Sequence, residues 1–190
     1  MFAADIEKII PDLRGFARML CGDRERADDI VQNACLKAWR ARASFNPDKG
    51  SFKSWMITIT RNEFLQDIRK NKRVDCYAPS DIENWLTADC QLANQAECSD
   101  AIQQLFMLER EQRDVFILVV AMGYSYEEAA KICRCSVGTI KSRIHRARIK
   151  LNAMRDDDSD IGLALSDDLP GIRGIDDLCG YAENLVQSAA

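Results

Sequence analysis

The chain has 190 residues, with 26 Lys and Arg against 30 Asp and Glu, a formal net charge of −4 and 47% hydrophobic residues. That apolar content belongs to a folding chain rather than a disordered one, and the length allows one large domain or two small ones. No apolar run approaches the roughly eighteen residues a membrane span needs. The N-terminal stretch carries Asp5 and no basic start, so it is not read as a secretory signal. The expectation is a soluble, cytoplasmic protein.

The total charge hides an alternation. Residues 1–75 hold 15 basic and 11 acidic side chains, a net of +4. Residues 76–100 hold 5 acids and no base, residues 101–155 are net +5, and residues 156–190 are net −8. Phosphate attraction is screened within about 8–10 Å, so these local blocks matter more than the overall sign.

In chain order, Leu13, Phe16, Ala17 and Leu20 repeat at helical spacing, with Pro11 expected near a helix start. Gly22 suits a left-handed helix end and Asp23 a cap for the next helix. That helix, about 24–42, has an expected inner face of Ala27, Ile30, Val31, Ala34, Ala38 and Trp39. Its outer face carries Asp28, Asp29, Gln32 and Lys37. Asn46-Pro47-Asp48-Lys49-Gly50 is turn chemistry. Ser51 opens a third helix expected to reach Lys72. Phe52, Trp55 and Phe64 lie on it with Arg61, Asn62, Arg69, Lys70, Lys72 and Arg73 on or beside it. Aromatic and amide groups beside a basic track suit unstacked bases. Core aromatics with a solvated charged end are the plainer reading, and this segment alone favours it.

Residues 76–97 read as a flexible acidic linker, and a second helical block spans 98–155. Ser125 and Glu128 stand at capping-box spacing before a short helix. Cys133-Arg134-Cys135-Ser136 is a break, and a longer helix follows from Gly138 to about Leu151. Two such helices across a tight turn make a helix-turn-helix. At 100° per residue, Ile140, Ile144, Ala147 and Leu151 share one face. Lys141, Ser142, His145, Arg146 and Ile149 take the opposite one, flanked by Thr139, Arg143, Arg148 and Lys150. A basic face with short hydroxyls suits a major groove.

The eight cysteines are scattered, with no CxxC, and His145 is the sole histidine. Small buried thiols are expected, with a redox switch as the alternative. No metal site is expected. The fold class is all-α: two small helical domains, 1–75 and 98–155, joined by the linker and followed by an acidic tail, 156–190. Each is near the lower size limit for an independent core, so each is expected to gain from a packing partner.

The stretch Ala27-Asp28-Asp29-Ile30-Val31-Gln32-Asn33 to Lys37-Ala38-Trp39-Arg40 resembles region 2 of extracytoplasmic-function (ECF) sigma factors. So does Phe52-Lys53-Ser54-Trp55 to Arg61-Asn62, with Asp67 and Arg69 after it. Ser125-Tyr126-Glu127-Glu128-Ala129-Ala130 to Val137-Gly138-Thr139-Ile140-Lys141-Ser142-Arg143 and Arg146-Ala147-Arg148 resembles region 4. The likeness runs from about 10 to 152. It implies that Asp28, Asp29 and Gln32 dock on the β′ clamp coiled coil of core RNA polymerase, with region 4 on the β flap. It implies that Trp55, Arg61, Asn62, Arg69, Lys70 and Arg73 lie near the −10 element, Asn62 bordering a pocket for a flipped base. Thr139, Lys141, Ser142, Arg143, His145, Arg146 and Arg148 would face the −35 element. The family is not enzymatic and needs no cofactor.

Within the family the chain looks similar to the general-stress (EcfG-like) branch of alphaproteobacteria, whose members are held by a NepR-like anti-sigma protein. The sequence departs from the family at Leu108-Glu109-Arg110-Glu111-Gln112-Arg113, where a Leu-Pro dipeptide often opens a helix. Two other functional classes stay open: a sigma mimic that captures an anti-sigma factor, and a stand-alone helix-turn-helix regulator.

The tail admits two readings, a solvated end or a restraint that occupies the basic helix. On the second, truncation to residues 1–155 raises DNA affinity, and most at low salt. Equal affinities of the full and truncated chains in a low-salt titration would leave the solvated end.

Overall fold

The first helical break falls where a glycine precedes an acid. Gly22 takes φ +67, and the Asp23 carboxylate accepts a hydrogen bond from the Arg26 backbone N–H at 2.6 Å. These two residues stop α1 (Phe2–Cys21) and start α2 (Arg24–Arg40). A computed structural model describes residues 2–70 and 103–154. The linker 76–97, Arg73, the tail 156–190 and the cysteines at 76, 90, 98 and 179 lie outside the described residues.

Pro11 sits inside α1, not at its start. A proline within a helix costs about 3 kcal/mol. It is tolerated because Leu13, Phe16, Ala17 and Leu20 are wholly buried along the same helix, each apolar side chain of Leu or Phe size contributing about 1.5–3 kcal/mol. Two short 3-10 turns, Arg42–Ser44 and Pro47–Lys49, follow α2. Then α3 (Phe52–Lys70) completes a three-helix unit in which each helix packs on the other two.

Trp39 does not join the inner face of α2 expected from the sequence. It is 49% exposed, because the expected inner face of α2 ends at Ala38. Its ring instead meets Phe2 edge-on at 5.9 Å, at the rim of a cluster that includes Phe45, Phe52 and Trp55. Phe64 is buried in the core and offers no face to a ligand.

In the second unit, residues 103–107 form α4. Glu109 and Gln112 then make a capping box at the start of α5 (Arg110–Phe116), which supplies the helix onset that a Leu-Pro dipeptide often marks. A π-helical turn, Ile117–Ala121, extends α5. The Ser125–Glu128 capping box opens α6 (Tyr126–Cys133), and α7 spans Val137–Met154.

The two units are not separate bodies. α3 packs against α6, and α1 against α5 and the π turn. Buried side chains from Ile6 to Leu151 form one apolar cluster that runs through both. Two small cores thus gain by sharing a boundary.

Gly22 lies on that boundary. A Cβ there would fall 2.7 Å from Cζ of Phe106, whereas Gly123, at φ +69, has open space around it. Gly123→Ala is expected to cost about 1 kcal/mol of backbone strain. Gly22→Ala should cost measurably more, because Phe106 must also move. Thermal unfolding midpoints of the two variants read the difference.

Candidate nucleic-acid interface

The helix-turn-helix is built from local chemistry. α6 ends at Arg134, whose φ of 53 is left-handed. That turn returns the Cys135 N–H to the Ala130 carbonyl at 3.1 Å. Ser136 then caps α7: its Oγ accepts from the Thr139 N–H at 3.1 Å and lies 2.8 Å from the Thr139 hydroxyl.

Ile140, Ile144, Ala147 and Leu151 are buried against α5 and α6. Lys141, Ser142, His145, Arg146 and Ile149 are exposed, and Thr139, Arg143, Arg148 and Lys150 are half-buried. Exposure thus follows the helical wheel. Arg146 is steadied over Ser142, its Nε donating to the carbonyl at 3.3 Å and a terminal nitrogen to Oγ at 3.2 Å. Lys141 stands 6.0 Å over the Tyr126 ring. Arg143 differs from these: it pairs with Glu111 of α5 and so ties α7 to its scaffold. The Arg148 Nε is buried without a hydrogen-bond partner.

On the first unit, Asp29 and Gln32 are exposed on α2. Asp28 is 3.1 Å from Arg14. Between α2 and α3 runs a groove of about 370 Å³ whose lining includes Asp23, Glu25, Asp29, Glu63 and Asp67 against Arg26 and Lys70. Two of its acids are held from within: Arg26 Nε donates to Asp67 at 2.5 Å, and Lys37 Nζ to Glu63 at 2.5 Å. The structure therefore brings Lys70, expected beside the −10 element, to the same groove as Asp29.

Trp55 sits half-buried in the aromatic cluster, with ring centroids 5.4 Å from Phe45 and 5.9 Å from Phe52. Asn62 is half-buried and Arg69 exposed at the end of α3. Arg61 is not on an open basic track. Its Nε donates to Asp114 Oδ2 of α5 at 2.6 Å, with side-chain exposures of 11% and 5%. Burial pushes the Asp114 carboxyl above the ordinary carboxylate range, and the Arg61 guanidinium opposes that shift. Sequence reading passed over Asp114 as a site, although an acid heading the apolar run Val115 to Val120 is a buried charge in need of a partner.

Residues 6–74 match Sigma-70 region 2, and residues 100–151 match Sigma-70, region 4. The chain belongs to the sigma-70 family. Its curated relatives are RNA polymerase sigma factors, several of them ECF sigma factors. ECF RNA polymerase sigma factor EcfG of Rhodopseudomonas palustris is 42% identical over 150 residues, covering 79% of this chain and 82% of that protein. RNA polymerase sigma factor NccH of Alcaligenes xylosoxydans is 33% identical over 135 residues, covering 67% and 72%. Among solved structures, the sigma factor RpoE of Bartonella quintana, in complex with the anti-sigma factor NepR, aligns with a TM-score of 0.63. It is 35% identical, over 80% of this chain and 94% of that one. CnrH, in complex with the cytosolic domain of CnrY, aligns with a TM-score of 0.61 and is 28% identical, over 83% and 89%.

Among the described residues of this sigma factor, no group of three His, Cys, Asp or Glu side chains is placed to hold a metal. No described helix is long and apolar enough to cross a membrane. Cys21, Cys35, Cys133 and Cys135 are free thiols. Burial raises Cys21 to about 12, and burial with nearby Asp114 raises Cys133 to about 12, from 9.0. At pH 8 that lowers their thiolate fraction by roughly a thousandfold. In the native protein Cys21 and Cys133 should resist iodoacetamide, and in denaturant both should be modified. Peptide mass spectrometry locates the label.

Proposed function

We propose that this chain directs core RNA polymerase to promoters with two separated elements, serving stress-response genes in the cytoplasm under control of an anti-sigma factor. The observation that carries the reading is the α7 face. Lys141, Ser142, His145 and Arg146 are exposed in a row on a helix whose opposite side is buried. Arg and Lys on such a helix reach guanine edges or phosphates, and Ser reaches either. Thr139, Arg143 and Arg148 flank the row at the −35 element.

The acidic groove between α2 and α3, with Asp28, Asp29 and Gln32 beside it, suits a cationic helical surface such as the polymerase β′ clamp. The β flap would take the second unit. Trp55, Arg61, Asn62, Arg69, Lys70 and Arg73 are assigned to the −10 strand. No covalent step is involved, so binding energy must offset strand separation. Unstacking costs a few kcal/mol per base, and base–aromatic stacking returns about 1–3 kcal/mol. Polymerase tethers both units, so two weak DNA contacts act as one strong one.

The anti-sigma partner is argued from likeness. EcfG of Rhodopseudomonas palustris is a relative, and a similar fold is bound to NepR in Bartonella quintana. A NepR-like protein is the partner to seek.

Run-off transcription with sigma-free core polymerase and a library of randomised −35/−10 promoters tests the whole reading. Transcripts downstream of one enriched bipartite motif are expected. Absence of both transcript and core binding would shift the weight to a mimic that captures an anti-sigma factor. Lys141→Ala and Arg146→Ala should each weaken −35 binding by about 1–3 kcal/mol while sparing core affinity. Mobility shifts and a core-binding titration measure the two separately.

A further inference from the structure

The seam between the two units contains a buried charge pair that does not satisfy itself. Arg61 of α3 and Asp114 of α5 meet through one hydrogen bond, Nε to Oδ2 at 2.6 Å. The other carboxylate oxygen, Oδ1, is buried with no hydrogen-bond partner. Tyr124, close enough to Asp12 of α1 to feel its charge, also has a buried hydroxyl without a partner. Boundaries made to stay shut satisfy nearly all their buried polar atoms. A half-satisfied buried pair contributes register more than net stability, because desolvation offsets much of its attraction.

The two partners are also unequal if the seam opens. Asp114 remains within the field of Arg110 and Arg143 on its own unit, so its charge is not stranded. Arg61 leaves with an unengaged guanidinium at the middle of α3. A phosphate can then take it through two parallel N–H bonds, where Asp114 takes one. The α7 row meanwhile stays exposed in the closed arrangement. Closure therefore covers Arg61 on the first unit and leaves the second unit's basic helix open.

We infer that Asp114 is an intramolecular latch: its carboxylate stands in for a nucleic-acid phosphate on Arg61 and holds the two units closed until a polyanion competes. This rests on the assignment of Arg61 to the −10 strand. Phe106 is the latch's apolar half. Its ring lies against Gly22 at the α1–α2 turn and is backed by the Arg113 guanidinium at 4.5 Å.

The test uses the full chain. Asp114→Asn keeps the shape and removes the charge, and Phe106→Ala loosens the same seam without touching a charge. Small-angle scattering reads closure, and fluorescence anisotropy of a labelled mixed-sequence 20-nucleotide single strand reads access to Arg61. Asp114→Asn should raise the radius of gyration by about a tenth or more and tighten single-strand binding about tenfold. Arg61→Ala in the Asp114→Asn background should abolish that gain. An unchanged radius in Asp114→Asn overturns the latch, and expansion in Phe106→Ala alone would assign closure to apolar packing instead. Expansion without tighter binding overturns the withholding of Arg61, and the double variant locates the fault. If it binds as Asp114→Asn does, Arg61 meets no DNA and its assignment has failed. If it binds more weakly, Arg61 meets DNA but closure never withheld it.

Discussion

The arrangement of this sigma factor depends on a charge pair buried where its two halves meet. Arg61 and Asp114 are 53 positions apart and come from different halves. Once the halves pack, the alternative to pairing is an isolated buried charge, which costs far more than any single apolar contact returns. The pair therefore fixes which faces meet. Phe106 on Gly22 and the packing of α3 on α6 share the same register. The result is one apolar cluster where each half would otherwise have a thin core.

Against that shared boundary, the helix-turn-helix is almost self-sufficient. Ser125 and Glu128 start α6, Arg134 turns the chain and Ser136 caps α7. α5 supplies the apolar floor and, through Glu111, an anchor for Arg143. A rigid scaffold with an exposed row of Lys141, His145 and Arg146 is suited to groove contact because little order has to be gained on binding. The first half is organised differently. Its aromatic cluster of Phe2, Phe45, Phe52 and Trp55 holds the start of α3 beside the two short turns after α2. Each aromatic pair adds about 0.5–1.5 kcal/mol beyond area burial.

Electrostatics divide the same way. A net charge of −4 describes no particular surface. The α2–α3 groove is mostly acidic and the α7 row is basic. Over a screening length of about 8 Å, a cationic protein surface and a polyanion each meet the sign that attracts them. Lys70 also lines the acidic groove, so a basic side chain at the C-terminal end of α3 stands among these acids.

Unlike the Glu109–Gln112 capping box, the helical breaks, the Ser125–Glu128 box and the buried and exposed faces of α7 could be read from residue order. Each depends on side chains within about four positions, where helix geometry alone sets who meets whom. The likeness of Ala27–Arg40 and Ser125–Arg148 to sigma regions was legible for a similar reason, since motif and spacing travel together. Trp39 was misjudged because its exposure depends on where Phe2 and the turn after α2 lie. Pro11 was misplaced because burial elsewhere on α1 outweighs its local cost. Arg61 read as one more base on a charged helix, and Asp114 was passed over. Their meeting requires two helices from different halves to pack, and no local rule carries that information. Short-range chemistry was thus written in the residues, while the pairing of distant charges followed from burying both halves against a common core.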